Sequence, residues 1–487
     1  MSELPEGWIN IPLKDVLKSF QSGFASGEKD VQGGLKHLRM NNIGVDGKLN
    51  LNLIRSVPAS LASERHYLNK GDILFCTTNS AKLVGKCALF NLDGQFAFSN
   101  HLTKLTTNDA IHPQLLLHYL WLLWKQGEFD DKCKHWVNQS TLPKEKLLET
   151  EVLLPPLNEQ CRIVAKLEKL LSRVDTAQAR LSTIPSILKR FRQSVLTAAC
   201  SGRLTVDWRK RDEVSAELPS GWSSSSLRLL VRTLDQGWSP RCELEPSPSP
   251  KIWGVIKTTA VQQLEFLEGE NKRLPEHLKP RPDLELRGGD LLITRAGPRA
   301  RAGVCCLVLS VRPRLMICDK VYRFRVDERT IMPQFLVLAL NTPAMTEHID
   351  TLKTGISDSG VNLTQEKFLD LSIALPPVTE QQEIVRRVEA LFRTADALEA
   401  RYLKAKEHVD KLAQSILNKA FKGELMPTEA ELARHEGRDY EPASALLERI
   451  RQERSQPQTT AKPTRKLTPK PIRRTGKKKD NSTGSLF

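Results

Sequence analysis

The sequence predicts an α+β fold: two mixed α/β domains separated by two long antiparallel helices in a coiled coil, built as an internal pseudo-twofold repeat. Three observations carry this. First, a stretch running from Pro155-Pro156 through Asn158-Glu159-Gln160 to about Ala199 returns at Pro376-Pro377, through Thr379-Glu380-Gln381, to about Ala420, at constant offset and without a gap. Second, apolar residues in both copies recur at alternating steps of four and three. In the first copy these are Ile163, Leu167, Leu170, Val174, Ala177, Leu181 and Ile184. In the second they are Ile384, Val388, Leu391, Ala395, Leu398, Tyr402, Ala405, Val409, Leu412 and Ile416. Such a heptad stripe demands a helix buried against another helix, and the simplest partner for one rod is the other. Third, the residues ahead of each rod share an order of landmarks while differing in most side chains.

Taken in order, Leu4-Pro5-Glu6-Gly7-Trp8 opens the first half and Leu218-Pro219-Ser220-Gly221-Trp222 the second. Lys70-Gly71-Asp72-Ile73-Leu74-Phe75 parallels Gly288-Gly289-Asp290-Leu291-Leu292-Ile293, each a turn into a buried strand. Gly85 parallels Gly303, each ahead of a second apolar run. Pro113 and Pro333 then start the apolar helices 115–124 and 335–340, at the position where proline is tolerated. The double prolines prevent the rods from extending backwards, and Asn158 and Thr379 are expected to cap them. About forty residues of helix span roughly 60 Å. Pro185 lies inside the first rod, where a proline removes a hydrogen bond, so a kink or brief break is expected there. Gly202 and Gly423 close the rods as C-terminal caps. The expected domains are therefore 1–154 and 218–375, with spacer helices at 155–201 and 376–426 and a linker at 202–217. A segment at 427–455 holds a short amphipathic helix at 442–453, with Leu446, Leu447 and Ile450 on one face, which docks on the rods or on a partner. A basic tail at 456–487 has a composition that favours disorder.

The chain has 487 residues and a net charge of +16, enough length for two cores. About half the excess sits in the tail, and the body remains basic, as suits a polyanionic partner such as nucleic acid. Nine cysteines without a Cys-x-x-Cys pair point to free thiols in a reducing cytoplasm. The start has no signal-peptide pattern, and the longest apolar run, 115–124, is too short to cross a bilayer. No phosphate loop, His-Glu-x-x-His motif or zinc spacing occurs. The double prolines lack the preceding Asn or Asp and the following aromatic of an adenine-methyltransferase motif. Cys133 and His135 read as packing and surface rather than as ligands. A catalytic, cofactor or metal site is not expected in this chain.

The paired Leu-Pro-Pro-Leu/Val-x-Glu-Gln-x-x-Ile-Val stretches, the Gly-Trp openers, the Gly-Asp strands and the rod ends resemble the specificity (S) subunit of type I restriction-modification systems over residues 1 to about 455. The resemblance implies two target-recognition domains, each reading one half of an interrupted, asymmetric double-stranded DNA site, with the helices setting the spacing. It implies docking of two methyltransferase (modification) subunits that use S-adenosylmethionine to methylate adenine. It further implies two ATP-driven, magnesium-dependent restriction/translocase subunits and a prokaryotic cytoplasm.

Base edges and phosphates are contacted by Arg, Lys, amide and hydroxyl side chains at loop tips. In the first domain the candidates are Lys36, Arg39, Asn41 and Asn42; Thr77, Thr78, Asn79, Ser80 and Lys82; Asn100 and His101; and Asn138, Gln139, Ser140 and Thr141. In the second they are Trp238, Ser239 and Arg241; Lys257, Thr258 and Thr259; Arg295, Arg299 and Arg301; Lys320; and Lys353, Ser357, Ser359 and Asn362. For each residue alone the alternative is a solvated surface group, and for Trp238 it is core packing. Two further readings compete with the whole: a standalone sequence-specific DNA-binding regulator, and an enzyme with an unrecognised nuclease site.

Overall fold

A computed structural model describes residues 4–137, 139–209, 218–355 and 357–455. Residues 210–217, the second half of the expected linker, and the whole basic tail from residue 456 lie outside the described residues. The chain divides into two compact units, one comprising residues up to 172 together with those from 413 onward, and the other residues 173–412.

The first unit runs β1 (Ile9–Pro12), β2 (Leu17–Ser22), β3 (Leu35–Leu38), β4 (Arg55–Val57), β5 (Ile73–Cys76), β6 (Thr78–Asn79), β7 (Cys87–Leu89), β8 (Phe96–Phe98) and β9 (Leu102–Thr107). There follow α1 (Pro113–Lys125), β10 (Lys134–Trp136), β11 (Gln139–Thr141), α2 (Lys144–Leu148), β12 (Glu151–Leu154) and α3 (Leu157–Cys200), whose first turns belong to this unit. The strands form a four-stranded sheet β2-β9-β5-β7, a three-stranded sheet β4-β3-β8, a ribbon β10-β11-β6 and the pair β1-β12.

The second unit repeats this plan. It runs β13 (Ser223–Ser226), α4 (Leu227–Leu230), β14 (Val231–Gln236), β15 (Gly254–Ile256), β16 (Val261–Gln262), β17 (Glu265–Phe266), β18 (Asn271–Arg273), β19 (Leu291–Thr294) and β20 (Ala296–Gly297). Then come β21 (Cys305–Leu307), β22 (Leu315–Met316), β23 (Val321–Val326), α5 (Pro333–Leu340), α6 (Pro343–Leu352), β24 (Val361–Asn362), α7 (Gln365–Leu369), β25 (Ser372–Leu375) and α8 (Val378–Phe421). Its sheets β14-β23-β19-β21 and β18-β15-β22 and its pair β13-β25 match those of the first unit in strand order. They match in detail too. β3 pairs in parallel with β8 as β15 does with β22, and the register shift at Leu17/Ser19 recurs at Val231/Thr233. Two divergent sequences share one frame because both satisfy the same few buried constraints.

The Gly-Asp landmark is one such constraint. Gly71 and Gly289 turn at φ +90° and +88°, and Asp72 and Asp290, both buried, accept from the backbone N–H groups of Asn69 and Arg287 at 2.8 Å. The turn therefore delivers β5 and β19 into the core with its donors satisfied.

The duplicated Glu-Gln pair is the strongest constraint. Gln160 is fully buried and accepts from His112 N at 2.8 Å while donating to the carbonyls of Ala110 and Pro155 at 2.8 and 2.9 Å. Gln381 does the same with Met332 N and the carbonyls of Thr330 and Pro376. Each glutamine thus ties the start of a long helix to the loop entering α1 or α5. Trp8 Nε1 donates to Glu159 at 3.1 Å, and Trp222 Nε1 to Glu380 at 2.9 Å, so each opener is pinned to the same turn.

The rod ends close onto these same glutamates. Glu159 accepts from Glu429 N at 2.9 Å within the first unit, and Glu380 from Thr205 Oγ1 at 2.7 Å and from Arg209 within the second. Gly202 and Gly423 both sit at φ +74°. A Cβ on Gly202 would fall 2.5 Å from Pro219 Cγ, and one on Gly423 would fall 2.6 Å from Pro5 Cγ. Only glycine permits both the left-handed turn and this approach to the opener's proline.

α3 and α8 are continuous over Leu157–Cys200 and Val378–Phe421. Pro185 lies inside α3 without interrupting it, so the helix has no break there. Asn158 and Thr379 lie within the first turn and are not the caps. Gln160 N and Gln381 N donate to Pro156 O and Pro377 O, so the prolines hold the cap position and lose no bond by lacking N–H. Within the second unit the helices pair antiparallel. Gln178 donates to Asp410 at 3.3 Å, Arg192 bonds Asp396 and Glu399 at 2.7 Å each, and Val195 and Ala199 share a core with Ile384 and Val388. Within the first unit, Ile163, Val164 and Leu167 share a core with Leu417, Ala420 and Phe421. The seam is narrower than the heptad pattern implied: Phe191 and Leu398 remain 38% and 48% exposed. Two helices bury one strip between them and leave the rest of each cylinder open.

The C-terminal segment forms α9 (Glu429–Glu436) and α10 (Ala443–Ser455). Leu446, Leu447 and Ile450 of α10 enter the core of the first unit, Ala443 N donates to Gly7 O, and Arg451 pairs with Asp15 at 2.6 Å. The amphipathic helix therefore completes a core rather than awaiting a partner.

Replacing Gln160 or Gln381 by Ala strands one buried N–H and two buried carbonyls, each worth about 1–3 kcal/mol when unsatisfied. Either change should lower the stability of its unit by about 3 kcal/mol or more, read by denaturant titration. An unchanged midpoint would contradict this account of the clamp.

Candidate nucleic-acid interface

One end of each four-stranded sheet collects loops from distant parts of its unit. In the first unit, Thr77 N and Thr78 N both donate to His101 O (3.1 and 3.3 Å), and Leu142 N donates to Thr77 O at 2.9 Å. Thr78 and Thr141 hydroxyls meet at 3.3 Å, and Ser140 lies opposite Asn79 in the β6–β11 register. Asn100 N donates to Phe24 O. Arg39, Asn100 and His101 line a cavity of about 250 Å³ with His37, Arg55 and Phe24. Arg39 and the groups at residues 77–82, 100–101 and 139–141 are thus brought to one face.

The second unit builds its face with the same backbone bonds. Arg295 N donates to Lys320 O at 2.8 Å, and Leu363 N to Arg295 O at 2.7 Å, so Arg295 stands where Thr77 does and Lys320 where His101 does. Trp238 N donates to Ile317 O as Phe24 N does to Phe98 O. Ala296 pairs with Asn362, and Arg299 N donates to Asp358 O, bringing the loop at 353–362 beside that at 295–301. One frame thus displays Thr, His and Phe on one unit and Arg, Lys and Trp on the other.

Individual side chains divide into exposed and structurally committed groups. Lys36, Asn41, Ser80, Lys82, Asn100 and Gln139 are exposed, with Lys36 Nζ 5.1 Å from the Phe96 ring centre. Arg39, Thr78, Asn79, His101 and Thr141 are half-buried, and Arg39 donates to Leu53 O at 3.2 Å. Asn42, Thr77 and Ser140 are buried. Asn42 is taken up by Arg39 N and Asn50 O, Thr77 by His101 O, and Ser140 by His135 at 2.9 Å. Asn138 lies outside the described residues.

In the second unit Ser239, Arg241, Thr259, Lys320, Ser357 and Ser359 are exposed, and Thr258, Asn362 and Trp238 half-buried. Trp238 packs on a core and carries the Arg281 guanidinium 4.4 Å from its ring centre. Ser239 bonds Asp319, and Lys257 and Thr259 both engage Glu270. The hydroxyl of Thr259 and then the Lys257 ammonium hold the Glu270 carboxyl below its ordinary range.

The three arginines of the 295–301 loop have separate tasks. Arg295 donates to Asp319 O at 2.9 Å beside the Tyr322 ring. Arg299 pairs with Asp358 at 3.0 Å and Asp350 at 3.1 Å. Arg301 is turned inward, donating to the carbonyls of Thr258 and Val261 at 2.7 and 3.0 Å. Lys353 is also drawn inward, to Arg299 O and Asp350. Apart from Asp350 beside Lys353, these neighbours lie 24 to 59 residues away, and no local pattern announces them.

The residues missed by the sequence reading are Arg281, His37 and Arg55, which the fold carries to the face, and Trp136 with Val137 at the tip of the β10–β11 ribbon. Burial pushes the His37 imidazole below its ordinary value and keeps it neutral near pH 7. Among the described residues no group of His, Cys, Asp and Glu is placed to hold a metal ion. All nine cysteines are free thiols. Among the described residues no helix is long and apolar enough to cross a membrane.

Two like-built units, each presenting a polar face of its own, define a two-headed sequence-recognition protein. The chain belongs to the type I restriction-modification DNA specificity family, whose model matches residues 5–186 and 311–406. It is 31% identical over 467 residues to the type I restriction enzyme StySPI specificity subunit of Salmonella potsdam, covering 93% of this chain and 96% of that one. It is 30% identical over 475 residues to the EcoKI specificity subunit of Escherichia coli K12, covering 93% and 97%. Similarity to the EcoEI specificity subunit of Escherichia coli reaches 34% over 321 residues, 65% of this chain and only 53% of that relative. Among solved structures, a chain from a type I R-M system studied for complex assembly matches with a TM-score of 0.64 at 20% identity, covering 87% of this chain and all of that one. The HsdS subunit from Thermoanaerobacter tengcongensis matches with a TM-score of 0.51 at 21% identity, covering 87% and 98%. These two likenesses concern the fold.

Because Arg301 serves two carbonyls, Arg301→Met should lower stability by about 2 kcal/mol. Lys82→Ala and Lys320→Ala, on exposed side chains, should leave stability within about 0.5 kcal/mol. If these lysines meet phosphates, each change should also reduce the salt slope of DNA binding by about 1. Thermal unfolding and binding at several salt concentrations check both; a stable Arg301→Met chain would refute the structural assignment.

Proposed function

We propose that this chain is the sequence-reading subunit of a type I restriction-modification complex, with each unit reading one half of an interrupted, asymmetric double-stranded DNA site. The observation that carries this reading is the shared backbone frame of the two faces with different side chains on it, such as His101 against Lys320. A shared frame gives the two faces the same local geometry, on which different side chains would read different bases. The long helices set the distance between half-sites.

The same helices dock modification subunits. Ile187, Phe191, Leu398 and Leu403 are open apolar positions on α3 and α8, 38–58% exposed, of the kind that mark protein interfaces. Two modification subunits would supply methyl transfer to adenine from S-adenosylmethionine, and two restriction subunits ATP-driven cleavage requiring magnesium. This chain contributes the address.

Exchanging residues from about 10 to 145 for those of another family member should alter one half of the methylated site and leave the other half and the gap unchanged. Mapping methylated adenines in cells carrying the chimaera and its modification subunit reads this directly. A change in both halves, or in the gap alone, would refute the assignment. Leu398→Asp combined with Phe191→Asp should weaken assembly with the modification subunit while leaving the unfolding midpoint in place. Unimpaired assembly by analytical ultracentrifugation would remove the helices from the docking role.

A further inference from the structure

We propose that Trp136 and Val137, at the tip of the β10–β11 ribbon, form an apolar wedge that enters the stack of base pairs in the DNA. This rests on the reading of the chain as a DNA-recognition subunit. It goes beyond that reading by naming a distortion of the duplex and the residues that make it.

Trp136 is 69% exposed and Val137 99%. Single exposed apolar residues are ordinary, but this pair differs in three ways. All three residues of β10 are exposed while Ser140 of β11 is buried, so the ribbon is rooted in the unit and its tip projects from it. Trp136 ends β10 and Val137 begins the turn that follows, so the two stand open together at the tip. The root is also fixed: His135 bonds Ser140 at 2.9 Å, and Ser140 and Thr141 pair with Asn79 and Thr78. A rigid ribbon can push a side chain into a stack, whereas a loose loop would yield.

Charge and continuity select DNA as the occupant. The ribbon itself, residues 134–141, contains Lys134 and His135 and no acid. β11 is hydrogen-bonded to β6, which carries Thr78 and Asn79, so the wedge continues the polar face already described. A protein-binding tip would more naturally lie away from that face. Apolar side chains inserted at a base step unstack it and kink the duplex, and the bend brings more of the protein onto the backbone. The corresponding loop of the second unit carries Ser357, Asp358 and Ser359, all polar and exposed. The wedge formed by Trp136 and Val137 belongs to the half-site read by the first unit.

The test uses the full chain assembled with its modification subunit and a duplex carrying the site mapped by methylation. 2-Aminopurine, whose fluorescence rises on unstacking, is placed in turn along both half-sites. The wild-type complex should brighten the probe at one step in one half-site. Trp136→Ala with Val137→Ser should abolish that signal and weaken specific binding by about tenfold, and Trp136→Phe should restore most of both. Equal signal and affinity in the double variant would overturn the wedge while leaving the recognition reading intact. Weakened assembly with the modification subunit and unchanged probe signal would overturn it in favour of a protein contact. Failure of the wild-type complex to bind the site at low salt would overturn both.

Discussion

The molecule depends on one buried glutamine used twice. Gln160 and Gln381 each close three hydrogen bonds with backbone groups that would otherwise be stranded where a long helix meets a globular fold. A side-chain amide can both donate and accept, so it can face a carbonyl and an N–H at once; a glutamate or a leucine could not. The preceding glutamate extends the clamp to the opener's tryptophan and to the segment following a rod. Helix, domain entry and chain opener are therefore fixed to one another in each unit by neighbouring side chains.

With that junction secured, the recognition face is free to vary. The contacts that shape it are backbone bonds, such as Thr77 N to His101 O and Arg295 N to Lys320 O. Backbone bonds are indifferent to the side chains they carry, so one scaffold can hold a threonine and a histidine in one place and an arginine and a lysine in the other. Ion pairs on this face hold loops together. Asp350 is kept ionised first by Lys353 and then by Arg299, and this pins the ends of two loops together.

The C-terminal segment shows how the repeat ends. Gly423 meets Pro5 as Gly202 meets Pro219. Beyond Gly423, α9 and α10 fold back on the first unit. Glu429, buried, is matched by Arg162 at 2.7 Å and Arg438 at 2.8 Å. The amphipathic pattern at 442–453 showed an apolar face, and the tertiary structure shows that its cover is the chain's own first unit.

What the sequence determined by itself is the repeat: the rods, the openers, the Gly-Asp turns and the paired double prolines. These are local patterns with fixed spacing, and periodicity or a required backbone conformation makes them visible. What only the tertiary structure decided is which polar residues are available to a ligand. Arg301 and Lys353 looked like ligand contacts and are spent on groups of their own unit, whereas Trp136 and Val137, which the sequence did not single out, stand open. A side chain's role there depends on whether a backbone group from a remote segment has claimed it first, and no local pattern records that.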